Sequence, residues 1–109
     1  MSNFTVDRQK WGKMTLQEQM GNIGSEVGRS INAYRTQDSQ RFTGALDRAL
    51  DLFDATTDAL IAQKSPRSKE VLRSKDQYLS LFFNDTFAQD ADNIERYFTQ
   101  YALAARRNR

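Results

Sequence analysis

Asp47, Asp51, Asp54 and Asp58 fall at intervals of four, three and four residues, which sets four carboxylates along one face of an α-helix. Such a ridge can dock basic residues or hold a divalent cation weakly. Helical di-metal centres, however, combine Glu from facing helices with Glu-x-x-His, and this chain has no His. The ridge also lies roughly opposite Phe42, Leu46 and Phe53, so its first reading is a solvated helix face. The nearest basic candidates to meet it are in the same chain. Lys64, Arg67, Lys69, Arg73 and Lys75 crowd into twelve residues that include one Glu, Glu70. With Arg106, Arg107 and Arg109 at the end of the chain, they are candidate phosphate contacts that would give a salt-dependent affinity for nucleic acid. No aromatic platform alternates with them. Glu70 and Asp76 stand at helical spacing as companions for Arg73 and Lys69, and arginines at a helix C-terminus complement its dipole. A charged helix surface is therefore the first reading of these cations too.

Catalytic chemistry finds little to work with. There is no His to act as base and no Cys to act as nucleophile or zinc ligand, and no Gly-rich loop follows a strand to cradle phosphate. Asp90 and Asp92 read as a helix start rather than an acid/base couple. The expectation is a protein that is not an enzyme and carries no metal and no cofactor. A net charge of +2 is small for a dedicated nucleic-acid binder. No stretch of about 18 apolar residues is present to span a membrane, and residues 1–8 lack the apolar run of a signal peptide. A cytoplasmic location is expected.

The elements that must position these residues are helical. Ile94, Tyr97, Phe98, Tyr101, Ala102 and Ala105 recur at helical spacing. Leu16, Met20, Ile23, Val27, Ile31 and Tyr34 form an earlier stripe, and Thr15 and Glu18 fit a capping box at its start. Between the two run a long stripe from Phe42 to Leu60, ending near Ala62 or Gln63, and a shorter one from Val71 to Phe83. Asp38 or Ser39 should cap the second helix. Ser65-Pro66 should open the third as N-cap and first helical residue, and its first half, thin in apolar residues, should be frayed or exposed. Asn84-Asp85-Thr86 should turn the chain, and Asp90 or Asp92 should cap the fourth helix. The predicted fold is all-α, an antiparallel up-and-down four-helix bundle over residues 14–109. A short N-terminal arm, 1–13, is anchored by Trp11.

Two features point to contact with another chain. Gly24 and Gly28 within the first helix each cost about 1 kcal/mol relative to Ala, which suggests that a second helix approaches closely, from the same molecule or from another copy. Leu81, Phe83 and Phe87 exceed what one stripe of the third helix can bury. Tyr97, Phe98 and Tyr101, with Phe82 and Phe83, read first as core.

Three stretches carry a family likeness. Residues 11–29, from Trp11 through Gly21-Asn22-Ile23-Gly24-Ser25-Glu26-Val27 to Arg29, resemble the opening of a group of uncharacterised small bacterial helical proteins. Residues 45–54 resemble that group's second helix, and residues 96–106 its close. The resemblance implies a shared bundle and no activity. In architecture the chain also resembles the HEPN group, whose ribonuclease members use an Arg followed shortly by His, and the ribosomal-RNA intervening-sequence group of four-helix bundles. Without His, the resemblance to the first implies no nuclease activity. The functional expectation is a non-catalytic helical bundle acting by protein–protein contact, as a homo-oligomer or with another cytoplasmic protein. The alternative is an accessory that binds RNA or DNA through the basic third helix and C-terminal arginines.

Overall fold

Thr15 starts a long helix as the sequence predicts. Its hydroxyl accepts from the Glu18 backbone N–H at 3.1 Å, and the Glu18 carboxylate accepts from the Thr15 N–H at 2.9 Å. These bonds satisfy two donors that a first helical turn leaves unpaired. The computed structural model describes residues 5–107, so Arg109 and the first four residues of the arm lie outside the described residues. Five helices are present among the described residues, and no strand. They are α1 (Arg8–Gly12), α2 (Leu16–Arg35), α3 (Ser39–Ala62), α4 (Ser68–Phe83) and α5 (Phe87–Arg107).

The extra helix lies within the segment expected to be an arm. Asp7 accepts from the backbone N–H groups of Gln9 and Lys10, which nucleates a single short helix where no apolar period announced one. α1 packs on α3. Trp11 is buried, and its indole N–H donates to Thr56 Oγ1 at 2.8 Å. Gln19 in turn donates to the Trp11 carbonyl at 2.7 Å. The anchor expected of Trp11 is present.

α2 packs extensively against α3 and α5, while α4 contacts both α3 and α5. Met20, Ile23, Val27 and Ile31 of α2 meet Phe53 of α3, Tyr78 and Leu81 of α4, and Phe98 of α5 in one buried core. Tyr78 brings a hydroxyl into that core. Ser30 spends its proton on the Val27 carbonyl at 2.7 Å, so at 2.6 Å it accepts from the Tyr78 O–H. Leu46 is half-buried, packed against the core rather than inside it.

Two helix starts differ from the sequence reading. Ser65-Pro66 forms a turn, with Ser65 Oγ accepting from the Arg67 N–H, and α4 begins at Ser68 without a side-chain cap. α5 begins at Phe87, where the Thr86 carbonyl receives the Gln89 and Asp90 N–H groups, so Asp90 and Asp92 lie inside the helix. Asp38 caps α3 as expected. Each turn between the long helices holds one non-glycine residue in the left-handed region: Gln37, Lys64 and Asp85, at φ of 59°, 56° and 60°. After α2, Asp38 donates back to the Ala33 carbonyl and Gln37 to that of Tyr34. After α3, Ser65 donates to Leu60 and Lys64 to Ile61. These are paired Schellman closures built without the usual glycine.

Candidate functional site

The ends of four helices bring five rings together. Tyr34 comes from the last turn of α2, Phe42 from the first turn of α3, Phe82 and Phe83 from the last turn of α4, and Phe87 from the first residue of α5. The Tyr34 ring centre stands 4.6 Å from that of Phe87 and 5.0 Å from that of Phe82, and Phe42 meets Phe82 edge-on at 4.8 Å. Such tilted and edge-to-face contacts suit aromatic quadrupoles. Phe83 touches the group from outside at 6.4 Å and is 66% exposed, and Tyr34 is also partly open. Arg35 lies over the Phe87 ring at 5.4 Å, and its guanidinium pairs with Asp92 at 2.7 Å and with Glu95 at 3.0 Å. An apolar patch with a rim of both charges results.

This arrangement revises the expected interface residue by residue. Phe83 remains a contact candidate, and Phe87 is a half-buried member of the ring group. Leu81 is 0% exposed, in the core among Tyr78 and its neighbours, so it cannot meet another molecule. Gly24 serves the same chain: a Cβ there would stand 2.8 Å from the Phe98 Cβ of α5. Gly21, not singled out as an interface, does similar work against Ala102, whose Cα would be 3.2 Å away. A Cβ on Gly28 would meet nothing within 4 Å. By spacing, Tyr34 and Phe42 belong to the apolar stripes of α2 and α3. Both sit at helix ends, where a stripe outruns the neighbours that could cover it, and position along the helix is the signal that separates them.

No protein-family model, curated protein or solved structure matches the chain. The molecule's own geometry therefore carries the functional argument.

The acidic ridge is largely engaged within the chain. Asp51 accepts from the Val6 backbone N–H at 2.7 Å, Arg8 pairs with Asp58 at 3.1 Å, and Lys75 pairs with Asp54 at 3.0 Å. Lys75 is the one ridge partner from the basic segment anticipated by sequence, while Arg8 was not anticipated. Among the described residues no group of three or more carboxylates converges to hold a metal ion, and no helix is long and apolar enough to cross a membrane.

The basic candidates are divided by these pairings. Arg67 reaches Glu70 at 3.5 Å and Lys75 is held by Asp54, which leaves Lys64, Lys69 and Arg73 exposed and outside the ion pairs among the described residues. Arg106 lines a groove between α2 and α5 beside Gly21 and Ser25, and Arg107 sits in the last turn of α5. Glu70 does not pair with Arg73 as expected. Its Oε1 accepts from the hydroxyls of Tyr101 and Tyr97, the latter at 3.1 Å. The Tyr101 hydrogen bond does most to hold the Glu70 carboxyl below its ordinary range, against an opposing effect of burial. Burial raises the Tyr97 and Tyr101 phenols, and their hydrogen bonds to each other and to Glu70 further affect both. With the phenols protonated at neutral pH, this cluster works as a clamp between α4 and α5.

Proposed function

We propose that this chain is a non-catalytic helical protein that acts by protein–protein contact, joining a second copy of itself through the aromatic end. The reading includes an up-and-down arrangement of α2–α5, like the small four-helix bundles the sequence resembles, working in the cytoplasm. One observation carries it: Phe83 stands 66% exposed against a group of four further rings, beside a rim that holds Arg35, Asp92 and Glu95. Water contact at such a patch is unfavourable by about 25 cal/mol for each Å² of apolar surface. A rim with charges of both signs is compatible with a like partner, because a two-fold contact can set Arg35 of each copy against a rim carboxylate of the other.

The test is sedimentation velocity across a wide concentration range, on the parent protein and on Phe83→Ser. The parent should show a concentration-dependent dimer. Phe83→Ser should be monomeric with an unchanged helical circular dichroism spectrum, because the side chain lies outside the core. A parent that stays monomeric throughout, or a variant that dimerises equally well, would overturn the reading.

A further inference from the structure

Beside Tyr34 and Phe42, with which it shares Ala33 and Asp38 as walls, α2 and α3 border an open cleft of about 640 Å³ whose lining includes Arg29, Asn32, Asp38, Gln40, Arg41 and Arg48. Its size falls within the range of small-molecule sites. Behind it, Glu26 is 7% exposed and joins two of the arginines. One carboxylate oxygen takes Arg29 Nη1 at 2.9 Å, and the other takes Arg48 Nε at 2.7 Å. A carboxylate so buried needs that pairing, and the pairing holds both guanidinium groups in place. Each arginine has five N–H donors, so one contact apiece leaves most of them for the cleft.

Gly44 completes the positioning of Arg48. A Cβ at residue 44 would lie 3.3 Å from Arg48 Nη1, so the glycine leaves room for the guanidinium to fold back along α3. Arg41 and Arg48 are seven residues apart on one helix face, about 10 Å along the axis. Asp38 is engaged locally, accepting from the Arg41 N–H at 3.1 Å and facing Arg41 Nε at 3.5 Å. Three cations thus meet two carboxylates, Glu26 and Asp38, and one positive charge is uncompensated. The side-chain amides of Asn32 and Gln40 make no hydrogen bond to the described residues. Among the described residues no aromatic ring lines the cleft, so these supply no platform for a nucleobase.

We propose that this cleft binds a phosphorylated sugar or polyol, with Arg29, Arg41 and Arg48 on the phosphate and Asn32 and Gln40 on hydroxyl groups. Planar guanidinium forks suit phosphate oxygens, and the amides supply donors and acceptors matched to a polyol. A terminal phosphate on a free sugar and a ribose phosphate within RNA share this chemistry. The absence of a stacking ring favours the free form.

Isothermal titration with glucose 6-phosphate, inorganic phosphate, glucose and a short oligoribonucleotide tests this on the full chain. Saturable binding of glucose 6-phosphate is expected, stronger than that of phosphate, with none for glucose. Arg41→Gln leaves the Glu26 pairs intact and should weaken binding about tenfold, as loss of a charge-assisted bond implies. Asn32→Ala should weaken glucose 6-phosphate binding more than phosphate binding. Arg48→Gln strands Glu26 and risks misfolding, so Arg41→Gln carries the decision. Three outcomes would overturn the proposal: no binding of glucose 6-phosphate, equal binding by Arg41→Gln, or tighter binding of the oligoribonucleotide.

Discussion

Two polar clusters in this fold have opposite dependence on water. Ser30 and Tyr78 lie in the core, where the hydroxyl relay from Tyr78 through Ser30 to the Val27 carbonyl satisfies every proton donated. Burial raises the Tyr78 phenol far above its ordinary range, so it stays neutral. Ser30→Ala removes the acceptor and leaves a buried hydroxyl unpaired, which should destabilise the protein by about 1–3 kcal/mol in urea melts. An unchanged midpoint would mean that Tyr78 has found another partner. Glu70 is partly open and responds to pH. Its carboxyl is lowered in the folded state, so its contribution is present above the unfolded value and lost as pH falls through the folded one. The melting temperature of the parent should therefore drop as pH falls below the ordinary glutamate value of about 4.3. Glu70→Gln should melt lower at neutral pH and show a shallower decline over that range. Parallel pH profiles for the two proteins would remove Glu70 from the acid response.

At the scale of elements, glycines of one helix have opposite uses. Gly24 admits Phe98 from α5, and a methyl group there would collide at 2.8 Å with a Cβ that cannot swing away. Gly24→Ala should cost about 1–3 kcal/mol as overpacking. Gly28→Ala meets open space and should gain up to about 1 kcal/mol from helix propensity. Chemical denaturation of both variants checks the pair, and the same sign for both would refute the packing account. The turns suggest a parallel gain. Gln37→Gly relieves a left-handed backbone and should stabilise by about 1 kcal/mol. These positions also show what sequence could convey. The apolar stripes of α2, α3 and α5 and the Thr15–Glu18 box were legible because periodicity and capping are local. The ends of α2 and α3, at Arg35 and Ala62, were legible too, although neither carries the glycine that marks a Schellman closure. The α5 start was not, because it rests on the Thr86 backbone rather than on an Asp side chain. α1 is too short for a period. Of the candidate site, Phe83 and Phe87 were visible as surplus, while Tyr34 and Phe42 looked like core until their places at helix ends were known. The Arg29–Glu26–Arg48 triad was out of reach, since nothing in the order of residues pairs position 26 with position 48.

At the scale of the whole molecule, the segment from Val6 to Trp11 is fastened to α3 at several points. Val6 donates to Asp51, Arg8 pairs with Asp58, and Trp11 donates to Thr56. Gln19 ties the Trp11 carbonyl to α2, so this segment bridges two long helices instead of trailing from one. Its exposed ion pairs add little, and the buried indole dominates. Trp11→Ala should therefore cost about 3–5 kcal/mol, a large share of the 5–15 kcal/mol typical of a small fold. Trp11 is also the single tryptophan of the chain, so its fluorescence reports on this junction while far-ultraviolet circular dichroism reports on all the helices. If the junction is integral to the core, the two signals of the parent protein should share one denaturation midpoint, as a two-state transition requires. A fluorescence transition that precedes helix loss would mean that α1 undocks first, and Trp11→Ala would then cost much less than a core truncation.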